Sequence, residues 1–198
     1  MPWHDVHAVV YGKTARDLAK HFVERWNSAK KHKMKLRENS QYPKLFYKTG
    51  KVPIAAIWKK QSTPCRIQVL RSISDWTIPT MKAGEFDDSI HQAYVHLITQ
   101  ARNYIYIENQ FFLSLIDSQD IKNKISQVIC ERILRAHRQN QNFKVYIVIP
   151  LLPNFEGHLN KEEGSAIMAV LKWTYESLAK EPHSIFAVLQ SKGGGQNS

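Results

Sequence analysis

The chain is predicted to fold as an α/β layer in which helices cover a mixed, mostly parallel sheet. Three observations carry that expectation. Apolar residues make up 43% and aromatic residues 11% of 198 residues, enough for one core rather than a disordered chain. Stretches of helical period alternate with short β-branched and aromatic runs from residue 87 onward. Helix, strand, helix, strand in that order implies a right-handed βαβ unit and parallel pairing.

Residues 14–31 read as the first helix. Ala15, Leu18, Ala19, Phe22, Trp26 and Ala29 recur at three and four residues, while Lys13, Arg16, Lys20 and Lys31 gather on another face. Thr14 is the expected N-cap, with Asp17 placed favourably for the helix dipole. Residues 32–64 lose the period and carry Pro43, Gly50, Pro53, Pro64 and seven lysines, so they read as a basic surface excursion.

A short strand is expected at Ile67 to Leu70. A helix follows from Asp87 to Arg102, capped by Asp87 or Asp88, with Ile90, Ala93, Tyr94, Leu97, Ile98 and Ala101 inward. Trp76 is expected to pack under the sheet and Asp75 to serve a turn or cap. Tyr104 to Glu108 is a strand by composition. Asp120 to Arg138 is a helix with Ile121, Ile125, Val128, Ile129, Ile133 and Leu134 inward, and Phe143 to Ile149 is an apolar strand. Pro150 and Pro153 stop it. Helices are expected at about 162–180 and at Ser184 to Leu189, before a loose tail at 191–198.

The formal charge of +11 favours anionic partners, phospholipid surfaces or nucleic acids. Lys13, Arg16, Lys20 and Lys31, extended by Lys30, Lys33 and Lys35, form a stripe suited to a polyanion or, more blandly, to solvent. Cys65 and Cys130 lack metal-type or CxxC spacing and read as free thiols of a reducing compartment. His4 and His7 in an extended stretch do not converge as ligands, so no metal and no cofactor are expected. No window approaches a membrane span and the start, MPWHDVHAVV, lacks signal-peptide regions, so membrane contact is expected to be peripheral.

Chemistry is expected at the carboxyl end of a strand, where open α/β sheets hold ligands. Glu108, Asn109 and Gln110 follow YIYI there, and amides can orient phosphate oxygens or an imidazole. By spacing alone the plainer reading prevails, in which they cap the strand end and bond the loop backbone. Phe111 and Phe112 are candidates to line a pocket beside them. The loop PLLPNFEG, Pro150 to Gly157, lies at a second strand end with Glu156 as a polar candidate or a turn residue.

The run YIYIENQFF resembles the segment between the two catalytic repeats of eukaryotic phospholipases D. MPWHDVHAVVYGKTARDLAKHFVERWN, IQVLRSISDW, SIHQAYVHLI and RILRAHRQNQNFKVYIVIPLLPNFEG follow in family order, with the closest likeness to the animal enzymes that carry PX and PH modules. The resemblance implies part of a phospholipase D-like α/β sandwich. It divides the chain into the end of a first half (1–31), a basic insertion or linker (32–64), the start of a second half (65–190) and the tail.

It further implies hydrolysis of phosphatidylcholine to phosphatidate and choline by two histidines in HxKxxxxD motifs. None of the nine histidines has lysine two residues later, so both motifs are absent and the isolated chain is expected to be inactive. Asp5, in the family's WHD segment, is implied to orient a catalytic histidine supplied from outside this chain. Glu108, Asn109, Gln110, Phe111 and Phe112 are implied to contact substrate. Lys13, Arg16, Lys20 and Lys31 are implied to bind phosphoinositides. The resemblance also implies a phosphatidylcholine-containing membrane and small GTPase regulators as partners, and a cytoplasmic, peripheral membrane location. A noncatalytic anionic-lipid binder is the alternative, and a nucleic-acid binder is disfavoured for want of a reading module.

Overall fold

The computed structural model describes residues 7–34, 42–47, 50, 54–78, 81–151, 165–180 and 182–193. They fall into two compact units, Met1–Ile90 and His91–Ser198. The strands form two two-stranded sheets, one antiparallel and one parallel, so the arrangement is mixed α/β.

In the first unit, helix α1 spans Lys13–Met34 and follows Gly12, whose φ of 85° suits glycine. It therefore starts one residue before the expected Thr14 cap. The covered side of α1 is set by polar anchors. Asn27 donates to the Leu45 carbonyl at 2.9 Å and accepts the Leu45 amide at 3.0 Å, and Trp26 Nε1 donates to the Pro43 carbonyl at 3.0 Å. Arg25 donates to the Thr77 carbonyl at 2.9 Å. Consequently Ser28 is buried, while Leu18 and Phe22 of the expected inward stripe are 44% and 57% exposed.

The stretch expected to be irregular contains a short helix, α2, at Ala56–Gln61. Trp58 on it stacks on Tyr11 with centroids 6.4 Å apart. The strand expected at Ile67 to Leu70 is not formed. The Ser89 hydroxyl instead occupies both backbone groups of Arg71, accepting its amide at 3.0 Å and donating to its carbonyl at 3.1 Å. Pairing begins only at β1, Ile73–Ser74, antiparallel to β2, Phe86–Asp87.

Asp75 serves its turn as expected, accepting the amides of Trp76 and Gly84, each at 2.8 Å. Trp76 does not pack beneath a sheet. It is 76% exposed, because the turn between the two short strands turns it outward.

Arg71 ties α1 to β2, reaching Asp87 at 2.9 Å and Glu24 at 3.0 Å. The Arg71 guanidinium, with Ser89, holds the Asp87 carboxyl below its ordinary value. Asp87 therefore stabilises the fold above the ordinary carboxylate pKa, and that contribution fades as pH falls through the lowered folded value. Arg71→Met is expected to cost about 1 kcal/mol at pH 7, a partly exposed pair being screened by solvent. The difference from wild type in urea midpoint should shrink at pH 3; an equal difference at both pH values would rule out the ion pair as its cause.

Helix α3, Ser89–Gln100, starts where Asp87 accepts the Ser89 amide at 3.1 Å and runs into the second unit. Its inward residues are Val95 and Ile98, followed by Ala101 beyond its end. Ile90, Tyr94 and Leu97, expected inward, are exposed. Two apolar stripes lie side by side on this helix, and only the one with a partner is covered.

Strand β3, Tyr104–Glu108, pairs parallel with β4, Lys144–Val148, in the register Tyr104 to Lys144 through Glu108 to Val148. Helix α4, Ile125–Arg138, connects them. Strand alternation sends Ile105, Ile107, Val145 and Ile147 towards the core and leaves Tyr104, Tyr106 and Tyr146 exposed. Val128, Ile129 and Cys130 of α4 form the centre, with Ile129 wholly buried.

Helix α5, Ser165–Tyr175, passes into a π-helical turn at Glu176–Lys180, and α6, Ile185–Gly193, runs three residues into what reads as loose tail. Val188 and Leu189 pack on the core, which holds α6 in place. Both cysteines are free thiols; burial pushes Cys130 up to about 11, whereas Cys65 is exposed. Among the described residues no helix is long and apolar enough to cross a membrane.

Candidate functional site

Parallel pairing brings the carboxyl ends of β3 and β4 to one edge, which carries Glu108, Asn109 and Gln110 beside Val148 and Pro150. The Asn109 amide donates to the Val148 carbonyl at 3.1 Å and extends the ladder by one bond. Glu108, Asn109 and Gln110 are all exposed. Tyr106 donates its hydroxyl to Glu108 Oε2 at 2.8 Å, and this acceptor raises the phenol above its ordinary pKa. The edge thus presents an oriented carboxylate next to two amide side chains, a set able to accept from and donate to a polar headgroup.

What fixes the edge is the chain that follows it. Phe112, expected to line a pocket with Phe111, is instead 5% exposed within the core, while Phe111 is half-buried. Alternation in the segment after Gln110 buries Phe112, Ser114 and Ile116 in turn. The Ser114 hydroxyl accepts the Ser126 amide at 2.8 Å, and the Ser126 hydroxyl donates to the Ser114 carbonyl at 2.6 Å. The Ser177 hydroxyl in the π-helical turn accepts the Ser114 amide at 3.0 Å and donates to the Trp173 carbonyl at 2.7 Å.

Asn123 donates to the Leu113 carbonyl at 2.8 Å, and the Ile116 amide donates to the His183 carbonyl at 3.1 Å. Paired buried hydroxyls of this kind specify one loop conformation. Sequence reading missed them. The available signal was serine standing alone among apolar neighbours, as in FFLSLI and KISQVIC, where a hydroxyl must find a partner.

On α1, Lys13, Arg16 and Lys20 share a face at helical spacing. Lys13 and Lys20 are exposed, Lys20 lies 4.0 Å from Glu24, and Arg16 donates to the Gly50 carbonyl at 3.4 Å. Lys31 belongs to the same helix, but its side chain lies outside the described residues, as do Asp5 and Glu156.

Comparison with known proteins decides the lineage. The family described as Phospholipase D matches residues 1–195. The chain belongs to the phospholipase D family. It is 44% identical to Phospholipase D1 of Homo sapiens over 99% of its own length and 18% of that protein. It is 40% identical to Phospholipase D2 of Bos taurus over 98% of its length and 20% of that protein. With Phospholipase D zeta 2 of Arabidopsis thaliana the identity is 28%, over 93% of this chain and 25% of the plant protein. The chain therefore spans about a fifth of the length of the animal phospholipases D it matches.

Proposed function

We propose that this chain is the part of a phospholipase D that walls the substrate site, and that the complete protein hydrolyses phosphatidylcholine to phosphatidate and choline through a phosphohistidine intermediate. The carrying observation is the family match across residues 1–195 together with nine histidines of which none stands in HxKxxxxD. Glu108, Asn109 and Gln110 meet the headgroup, Phe111 lines the pocket, and Phe112 supports it from the core. Asp5 accepts the ring N–H of a histidine supplied by the rest of the protein, fixing its tautomer. Residues 65–190 contribute the start of the second half of the catalytic domain.

The nucleophile and the proton donor together supply most of such a rate enhancement. The purified 198-residue chain is therefore expected to release no choline from phosphatidylcholine vesicles above a mock preparation. Release above mock would overturn this assignment. In the complete protein Asp5→Asn is expected to lower turnover by a factor of about 10²–10⁴, with substrate affinity little changed.

A second reading, in which the chain binds anionic membranes without catalysis, draws on the shared face of Lys13, Arg16 and Lys20. It takes phosphoinositides as ligands at a peripheral, cytoplasmic membrane surface, where small GTPases would act as regulators of the complete enzyme. Equal flotation with neutral and phosphoinositide-containing vesicles would exclude it.

A further inference from the structure

The sheet of β3 and β4 has one covered face and one bare face. The buried cluster that takes Ile105 also holds Ile98 of α3, Ile129 of α4 and Ile185 of α6, with Ile107, Val145 and Ile147 packed against it. Strand alternation turns Tyr104, Tyr106 and Glu108 of β3 and Lys144, Tyr146 and Val148 of β4 to the opposite face, where all six are exposed. Tyr104 keeps 63% of its surface in solvent, Tyr106 55% and Tyr146 49%. Parallel sheets occur almost only with both faces covered. Tyrosine is moreover a side chain of interface cores, where its ring is buried and its hydroxyl finds a partner.

The charges on this face identify its occupant. Register sets Tyr104 beside Lys144 at one end, Tyr106 beside Tyr146 in the middle and Glu108 beside Val148 at the other end. Lys144 and Glu108 therefore stand at diagonal corners. Among the described residues neither is in an ion pair.

A second copy can be laid on this face about a twofold axis that lies in the sheet plane, perpendicular to the strands. The strands of the two copies then run antiparallel, and each Lys144 arrives at the end that carries Glu108 of the other copy. The tyrosine pairs meet in the middle. Stacked sheets lie about 10 Å apart, a gap that a lysine and a glutamate bridge from opposite sides. A twofold axis along the strands instead brings like charge to like charge. The face is thus complementary to itself in one orientation, as an isologous contact requires.

We propose that this tyrosine face is the contact of a homodimer, two copies stacked antiparallel with Lys144 of each beside Glu108 of the other. The inference does not rest on the headgroup reading of Glu108, but the two compete, since a carboxylate engaged by a second copy is not free for a headgroup. Three tyrosines of about 150–250 Å² each, roughly half exposed, cover less than the roughly 800 Å² per partner of a standard interface, so the association is weak.

Sedimentation velocity of the full 198-residue chain between about 5 and 200 µM tests the proposal, a span suited to small transient contacts. A reversible equilibrium of monomer and dimer is expected. Tyr106→Ser with Tyr146→Ser is expected to weaken it about tenfold or more. Glu108→Lys and Lys144→Glu should each do the same alone, because each sets like charges together. An equimolar mixture of those two variants should form dimers within about twofold of the wild-type affinity, since in the mixed pair both contacts again join opposite charges. Recovery in the mixture also excludes misfolding as the cause of the separate losses.

A chain that stays monomeric at about 200 µM, single charge variants that associate like wild type, or a mixture that does not recover would each overturn the proposal. So would open-ended polymers in place of a dimer, the product expected of pairing through strand edges.

Discussion

Ile129→Ala is expected to destabilise the second unit by about 4 kcal/mol, in the upper half of the range for truncating a buried aliphatic side chain. The reason is the position of Ile129, which is wholly inaccessible on α4 and belongs to one buried cluster with Ile98, Ile105, Phe112, Val128 and Ile185. Neighbours drawn from a helix, a strand and a serine-pinned loop cannot collapse together into the space left behind. Ile129→Val should cost only about 1 kcal/mol, since one methylene is lost. Urea unfolding followed by Trp173 fluorescence reports on this unit, and a loss below about 1 kcal/mol for the alanine variant would contradict tight packing around α4.

Arg132→Met is expected to cost about 2–4 kcal/mol, although methionine keeps much of the volume over Phe143. The substitution strips hydrogen bonds from the carbonyls of Ala101 and Arg102 and from Gln141. Removing the unpartnered Nη1 offsets part of that loss, which is why the figure falls below the cost of breaking a fully paired buried charge. Arg132→Lys should fare little better, because a single ammonium cannot span acceptors set out for a planar fork. Amide exchange at the start of β3 should accelerate in both variants. Wild-type stability in the lysine variant would show that the fork geometry is irrelevant.

Legibility in the sequence followed how far each signal depends on distant partners. β3 was readable to the residue, because YIYI alternates tyrosines that stay exposed with isoleucines that enter the core. α4 was readable in its body but not at its start. Ser118 accepts the amides of Asp120 and Ile121, and Asn123 accepts that of Ile125, so side chains take the bonds that an earlier helical turn would have used.

The inward face of α3 was misread because Ile90, Tyr94 and Leu97 repeat as regularly as His91, Val95 and Ile98. Period alone does not say which stripe has a neighbour. The absent strand at residues 67–70 makes the same point, since a strand exists only with a partner. Of the candidate site, Glu108 to Gln110 could be placed at a strand end from sequence. The bonds from Arg132 to the Ala101 and Arg102 carbonyls could not, because they join residues 31 and 30 apart in sequence.

That pairing also has a history on the ribosome. Tyr104 finds its partner at Lys144, 40 residues later, since 144 − 104 = 40. At translation rates of about 5–20 residues per second, YIYI would wait roughly 2–8 s for the strand that completes it. During that interval Ile105 and Ile107 have no sheet to join, while α4, whose backbone hydrogen bonds are local, can form at once and offer them Ile129 and Ile133. Nascent chains halted between residues 110 and 140 should accordingly be the ones most readily captured by chaperones that bind exposed apolar strands, and extension past Val148 should release them.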